Sequence, residues 1–186
     1  MRRAAPTVAR NESNRHISEV VPARVATTKS PWLKGFHSGD LHSLAVSHGE
    51  GKFVVGEALA RELFDAGQVA FQYADAAGNP TAEAPYNPNG SSYAIEGLVS
   101  KDGQILGKMG HTERWEENLF KNIAGNKEQS PFRNAVAYFR KTYSPITQRT
   151  ETDMEQHGTP YEGHAKQGFP PEAPQKSAHQ YTSPAT

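Results

Sequence analysis

The apolar residues of this chain are confined almost entirely to its first 143 residues, and this distribution limits how much of the chain can fold. From Ser144 to Thr186 the large aliphatic residues are Ile146 and Met154, and the aromatic residues lie far apart. Six of the thirteen prolines also fall in these 43 residues. Such a segment buries too little apolar surface to offset the conformational entropy lost on folding. We therefore predict a folded domain over residues 1–143 and a disordered tail over residues 144–186.

Hydrophobic periodicity predicts a series of strands in the folded part. Alternating or continuous apolar runs bounded by turn residues predict strands over residues 18–28, 41–46, 69–73, 95–99 and 105–109. The last two of these flank Asp102-Gly103, a pair typical of hairpin turns. Between the strands, an amphipathic helix is predicted over residues 56–66, and Gly67 ends it.

A second helical region is predicted near the end of the folded part, over residues 116–143 with a break at Gly125-Asn126. Pro131 suits the first position of the final helix. The apolar stripe of this helix is predicted to consist of Phe132, Val136 and Phe139. Several strands, one intervening helix and a closing helix indicate an α/β fold in which part of the sheet is antiparallel.

Composition excludes several functional classes. The 20 basic and 20 acidic side chains cancel, which argues against a protein that coats nucleic acid or an anionic membrane. No apolar run approaches the ~20 residues of a membrane span, and no signal-peptide core follows Met1, so we expect a cytoplasmic protein. The sequence contains no cysteine. Disulfides, thiolate metal sites and a cysteine nucleophile are therefore excluded within these 186 residues.

His111 and Glu113 are the first candidates for chemistry. They follow directly on a predicted strand, at the edge where α/β folds collect ligands and catalytic groups. Two residues at this spacing on a loop can turn toward each other, so that the carboxylate orients the imidazole and supports its protonated form. Spacing alone modestly favours a simpler interpretation, an exposed segment with an incidental histidine and a solvated glutamate, because short His-x-Glu motifs are common by chance.

Two glycine-containing loops supply further candidates, with His48 and Glu50 in the first and Asn89 and Ser91 in the second. Glycines let a backbone approach a ligand closely, and these polar groups could line a substrate pocket. Ordinary turns with incidental polar residues explain the same pattern. No metal site is predicted, because a single His-x-Glu pair supplies too few ligands.

Taken in order, these segments resemble one family, the glutaminase region of phosphoribosylformylglycinamidine synthase, a class I glutamine amidotransferase with a flavodoxin-like three-layer fold. The resemblance runs from about Thr7 to Tyr143. It is carried by Val46-Ser-His-Gly-Glu-Gly51, Phe71-Gln-Tyr73, Asn87-Pro-Asn-Gly-Ser91, Ile95-Glu-Gly97 and Gly107-Lys-Met-Gly-His-Thr-Glu-Arg114.

The resemblance implies a function and assigns roles to two residues. In this family a Cys-His-Glu triad hydrolyses glutamine, and the ammonia serves an ATP-dependent synthase module that converts formylglycinamide ribonucleotide to the amidine in purine biosynthesis. His111 would be the triad histidine and Glu113 its orienting acid. ATP and Mg would belong to the synthase module and no cofactor to this chain. The partners implied are glutamine, the rest of the glutaminase domain and the synthase module.

The sequence departs from the family at the nucleophile. The family carries it in a Gly-x-Cys-Asn-Gly elbow upstream of the segment that matches Thr7, and this chain has neither the motif nor a cysteine. We expect a C-terminal glutaminase portion that is inactive alone. A fragment of a larger synthase is the favoured interpretation, because half a sheet exposes an unpaired strand and an apolar face. A split subunit that completes a partner's active site and a non-catalytic interaction protein are the alternatives.

Overall fold

The computed structural model describes residues 5–142, so the predicted tail over residues 144–186 lies outside the described residues. Two short 3₁₀ helices, Pro31–Leu33 and Ser92–Ala94, accompany the main elements. In chain order those elements are β1 (Thr7–Arg10), β2 (Ile17–Val25), β3 (Leu41–His48), β4 (Glu50–Val54), α1 (Glu57–Asp65), β5 (Val69–Tyr73), β6 (Ile95–Val99), β7 (Leu106–Lys108) and α2 (Pro131–Thr142).

Five strands form one sheet in the order β3-β2-β5-β6-β7, and every pair is antiparallel. The sheet curls, because the chain just after edge strand β7 returns to the other edge strand, β3. There His111 N–H donates to the Ala45 carbonyl at 2.8 Å, and Ser43 N–H donates to the Asn126 carbonyl at 2.7 Å. The expected α/β fold with an antiparallel section is confirmed.

The apolar core lies on both sides of the central strands. Helix α1 buries Ala60 and Leu63 against Val69 of β5 and Ile95 of β6. Its opposite side is solvent-exposed and carries an ion pair between Glu57 and Arg61, one helical turn apart. Helix α1 ends before Gly67, which adopts a positive φ of 63° and so permits the sharp turn into β5.

A second part of the core forms where the chain between β2 and β3 folds over the sheet. Leu33 of the first 3₁₀ helix is fully buried there against Val25, Phe71 and Val99. Strand β3 contributes by simple alternation, since His42, Leu44, Val46 and His48 are buried while the residues between them are partly exposed. The inner surface of β3 therefore carries a histidine near each end.

The helical region predicted over residues 116–143 is wrong in its first half. Residues 117–122 form turns, residues 126–130 have no regular structure, and Phe120 has a positive φ of 55° that an α-helix does not adopt. The predicted break at Gly125 is present, with a φ of 92°. The physical reason for the missing helix is that the apolar residues at helical spacing here, Trp115, Leu119 and Ile123, do not pack as a buried face. Leu119, for example, is 47% exposed. An isolated short helix is marginal in water without such packing.

The predicted apolar stripe of α2 also requires correction. Ala135 is buried, whereas Phe132 is 60% and Val136 50% exposed. The helix packs on the first 3₁₀ helix, where the Phe132 ring meets Trp32 edge to face at 6.0 Å between centroids. Neither helix within residues 5–142 is long and apolar enough to cross a membrane.

Two strands were not predicted. The segment 47–51 is predicted to be a glycine-rich turn, yet β4 begins at Glu50 and pairs with β1 in a separate two-stranded sheet. Only Gly49 separates β3 from β4. This tight connection positions the polar residues of the first glycine-containing loop.

Candidate active site

His111 is held by its backbone between the two edges of the curled sheet. Its N–H donates to the Ala45 carbonyl of β3. Two residues earlier, the Met109 N–H donates to the Glu96 carbonyl of β6 at 3.1 Å. Thr112 is buried, while His111 and Glu113 project from the other side of the chain. All strand pairs in this sheet are antiparallel, so the rule that catalytic groups collect at the carboxyl edge of a parallel sheet does not apply. The bridge to β3 positions His111.

The two predicted catalytic side chains meet. His111 Nδ1 lies 2.6 Å from Glu113 Oε1, and the side chains are 27% and 57% exposed. Arg114 Nε approaches the same carboxylate oxygen at 3.9 Å. The dyad is thus partly open to solvent, and the Arg114 guanidinium lies beside it.

The carboxylate determines which ring nitrogen carries the proton. Partial burial acts to raise the pKa of Glu113. Hydrogen bonds from its own backbone N–H and from His111 act in the opposite direction, as do the charges of His111 and Arg114. Together they outweigh burial and lower the pKa of Glu113. An ionised carboxylate only accepts hydrogen bonds, so His111 Nδ1 donates and the neutral ring keeps its lone pair on Nε2. This is the arrangement of a general base with an orienting acid.

His48 and Glu50 are not brought together. His48 is buried at the end of β3, where its Nδ1 lies 3.0 Å from Asn11 Oδ1. Asn11 donates through Nδ2 to the carbonyls of His48 and Arg15, so its Oδ1 must accept and His48 Nδ1 carries the proton. Burial lowers the pKa of His48, and the charge of His111 acts in the same direction.

Glu50 lies on the opposite side of the turn. Its side chain is 69% exposed and faces Arg10 of β1, with 3.6 Å between Oε1 and Arg10 Nε. A substrate-binding role for His48 or Glu50 stays a prediction.

Asn89 and Ser91 use their side chains to build their own loop. Asn89 is fully buried and donates to the Gly51 carbonyl at 2.8 Å and to the Tyr73 hydroxyl at 3.0 Å. Ser91 Oγ donates to Asn89 Oδ1 at 2.7 Å and accepts from Phe53 N–H at 3.0 Å. These bonds tie the loop to β4 and β5. A role for either residue toward a substrate likewise stays a prediction.

The sequence analysis missed one polar pair next to the dyad, Glu96 and Lys108. Their side chains are 1% and 10% exposed, and Lys108 Nζ lies 3.4 Å from Glu96 Oε1. Burial lowers the pKa of Lys108, while the Glu96 carboxylate acts to raise it and only partly offsets the effect of burial. A glutamate inside the apolar run of β6 was a signal available in the sequence, since charged residues are almost never fully buried without a partner.

Residues 5–142 contain no group of three or more His, Asp or Glu side chains that could hold a metal ion.

A comparison with protein families assigns residues 2–141 to the CobB/CobQ-like glutamine amidotransferase domain. The match covers about three quarters of the sequence. The chain belongs to this glutamine amidotransferase family.

Curated relatives of this chain confirm the resemblance found in the sequence. The chain is 38% identical over 120 residues to the phosphoribosylformylglycinamidine synthase subunit PurQ of Nostoc sp.. This alignment covers 64% of this chain and 49% of that protein. The subunit PurQ of Thermomicrobium roseum is 41% identical over 105 residues, or 56% of this chain and 44% of that protein. The chain thus spans about half the length of the curated relatives it matches.

A solved structure supports the fold of this chain. The structure of PurLQS from Thermotoga maritima has a chain that superposes with a TM-score of 0.53 at 21% sequence identity. The alignment covers 73% of this chain and 54% of that one. At this identity the likeness concerns the architecture alone.

Proposed function

We propose that this chain contributes the His-Glu part of a glutaminase site in a phosphoribosylformylglycinamidine synthase. The observation that carries the proposal is the 2.6 Å contact between His111 Nδ1 and Glu113 Oε1. It leaves Nε2 as the basic atom of a ring whose orientation is fixed by a carboxylate. The names of the relatives support the choice of substrate class, and family membership supports glutamine as the nitrogen donor.

In this mechanism His111 Nε2 accepts the proton of a thiol as its sulfur attacks the glutamine carboxamide. Glu113 holds the ring and stabilises the imidazolium that forms. The imidazolium then returns the proton to the leaving nitrogen, so that ammonia departs and a thioester remains. Water hydrolyses the thioester to glutamate and regenerates the thiol. Since none of the 186 residues is a cysteine, the thiol comes from outside them.

The remaining parts of the proposal concern the assembly. The ammonia would be consumed by an ATP-dependent synthase module that turns formylglycinamide ribonucleotide into the amidine, with ATP and Mg bound in that module. The cytoplasmic location expected from the sequence belongs to the same proposal. Family membership and the relatives' names support this assignment over a non-catalytic interaction protein.

The test is reconstitution of glutamine hydrolysis. The full chain is mixed with a separately expressed, cysteine-bearing segment of a related PurQ subunit, and glutamate release from glutamine is measured with and without the synthase subunit. We expect hydrolysis only in the mixture, and a fall of about 100-fold or more for His111→Ala, the size expected for loss of a general base.

His37→Ala is the matched control. His37 also faces a carboxylate, with 3.7 Å from its Nδ1 to Asp40 Oδ2, but its side chain is 90% exposed. This variant should retain full activity. A mixture without glutaminase activity, or an active His111→Ala variant, would contradict the proposal and leave the interaction-protein interpretation.

A further inference from the structure

A buried ion pair forms hydrogen bonds to both polar groups of the backbone at Gly110, next to His111. Glu96 and Lys108 lie on the neighbouring antiparallel strands β6 and β7, where Gly97 is the residue opposite Lys108. The Gly110 N–H donates to Glu96 Oε1, and Lys108 Nζ donates to the Gly110 carbonyl at 2.6 Å. Both hydrogen-bonding groups of Gly110 are therefore fixed by side chains of opposite charge.

The space around Gly110 is filled by the ends of three side chains. A Cβ atom there would lie 2.7 Å from Glu96 Oε1, 3.0 Å from Leu44 Cδ1 and 3.1 Å from Lys108 Nζ. The next peptide group is also fixed, because the His111 N–H donates to Ala45 of β3. The backbone that leads into the His111 side chain thus has little freedom to move.

Stability alone is a poor reason for this pair. Taking two charges out of water costs several kcal/mol per ion by general estimates, and apolar residues of similar volume often stabilise a fold as well or better. Glu96 Oε2 is buried and has no hydrogen-bond partner among the described residues, so the pair is not even fully satisfied. Lys108 also lies over the Phe71 ring, with 5.1 Å from Nζ to the centroid, which limits where its ammonium can go.

We propose that Glu96 and Lys108 are positioning residues for His111: they clamp the Gly110 backbone so that the imidazole stays against Glu113. The catalytic part of this inference rests on the proposed function, whereas the clamp itself concerns only the geometry of the chain. No hydrogen bond joins Glu96 or Lys108 to His111 or Glu113 among the described residues, and the Lys108 charge reaches Glu113 through space only. The clamp therefore acts through the backbone of Gly110. Loss of the clamp should lower the rate of the chemical step and leave glutamine binding unchanged, since small misplacements of a catalytic group reduce rates strongly.

The main test variant is Glu96→Gln/Lys108→Met. This variant removes the Lys108 bond to the Gly110 carbonyl and weakens the Gly110 N–H bond, which then goes to a neutral amide oxygen in place of a carboxylate. The methionine keeps an apolar stem over Phe71, and no lone charge is left buried. In the full chain, the His111 Nδ1–H resonance is followed by ¹H–¹⁵N NMR, and folding is checked by thermal unfolding. We expect this resonance to broaden or disappear in a variant that remains folded. In the reconstituted mixture, kcat should fall about 10- to 100-fold with KM changed by less than about twofold.

Lys127→Met is the matched control, because Lys127 Nζ also bonds a glycine carbonyl two residues away, that of Gly125 at 2.9 Å, but at the surface. It should change neither the resonance nor kcat. If the double variant does not fold, Lys108→Met alone, which removes the bond to the Gly110 carbonyl, is measured with the same readouts.

An unchanged His111 resonance and kcat in a folded but less stable variant would overturn the positioning role and leave the pair purely structural. If the resonance responds while the wild-type mixture never hydrolyses glutamine, the clamp stands and the proposed function fails.

Discussion

This molecule contains the same short pattern twice, His-x-Glu at residues 48–50 and again at 111–113, and the two copies fold differently. In the second copy the side chains meet at 2.6 Å and share a partly open surface. In the first, His48 is buried and bonded to Asn11, while Glu50 faces solvent and Arg10. A spacing of two residues therefore allows the contact without producing it.

The difference comes from what lies between the two residues. Gly49 is the turn between β3 and β4, so His48 belongs to one strand's inner surface and Glu50 to the beginning of another strand. In the second copy a single residue, Thr112, turns inward and leaves its two neighbours on the outer side. Function at such a pair depends on which side of the sheet each residue occupies.

The largest predicted effect is the difference in kcat between variants of the two carboxylates, Glu113 and Glu50. In the reconstituted mixture, Glu113→Gln should lower kcat about 100-fold, because an amide cannot hold the imidazolium as a carboxylate does. Glu50→Gln should change kcat and KM by less than about twofold, since Glu50 makes one exposed ion pair. Steady-state glutamate release measures both. Equal losses in the two variants would mean that the first copy also takes part in the reaction.

A second prediction concerns the space around His48. A Cβ at Gly51 would lie 2.7 Å from the His48 ring, whereas one at Gly49 would have no atom within 4 Å. Gly51→Ala should lower the free energy of unfolding by about 2 kcal/mol, the usual size for overpacking, and Gly49→Ala by less than about 0.5 kcal/mol. Urea unfolding of the two variants gives the comparison. Similar values would show that the ring moves aside freely.

These contrasts explain which features the sequence could reveal. The bounds of β5 and β6 follow from the sequence, because both strands are short, mostly apolar segments rich in β-branched or aromatic residues and bounded by turn residues. Strand β4 was hidden, since Gly49 and Gly51 suggest a turn and only pairing with β1 makes the segment extended. The helix predicted at 116–124 failed because the apolar residues of that stretch do not pack as a buried face.

The site shows the same division. His111 and Glu113 could be found by resemblance, whereas their contact depends on the inward turn of Thr112 and the bridge to β3. The Glu96–Lys108 clamp needs the pairing of β6 with β7, which is set by the fold and by no local pattern. Contacts made across strands are therefore the part of the site that required the structure.

Acid should weaken the fold through the buried histidines of β3. Burial lowers the pKa of both His42 and His48 in the folded chain. The unfolded chain then binds more protons as the pH falls below about 6.5, the ordinary histidine value, so the free energy of unfolding should decrease there. Their contribution is fully present above that pH.

A variant at His42 sharpens this prediction. His42 Nδ1 has no hydrogen-bond partner among the described residues, and its ring packs edge to face on Phe36 at 5.5 Å. His42→Phe should keep the ring contact and reduce the dependence on pH, with the remainder due to His48. Chemical unfolding between pH 5 and pH 8 measures the slope. A slope as steep as that of the wild type would assign the whole effect to other groups.

The last prediction tests whether the dyad is formed in solution before any substrate binds. His111→Ala should raise the pKa of Glu113 toward the ordinary carboxyl value, because the variant loses both the hydrogen bond and the charge of the ring. Arg114→Gln should raise it less, since Arg114 Nε is 3.9 Å from the carboxylate and provides charge alone. Carbon-detected NMR titration of the Glu113 carboxyl distinguishes the two. If both variants leave the titration unchanged, the contact forms only in the assembled enzyme, and the second copy would then differ from the first only after the partner binds.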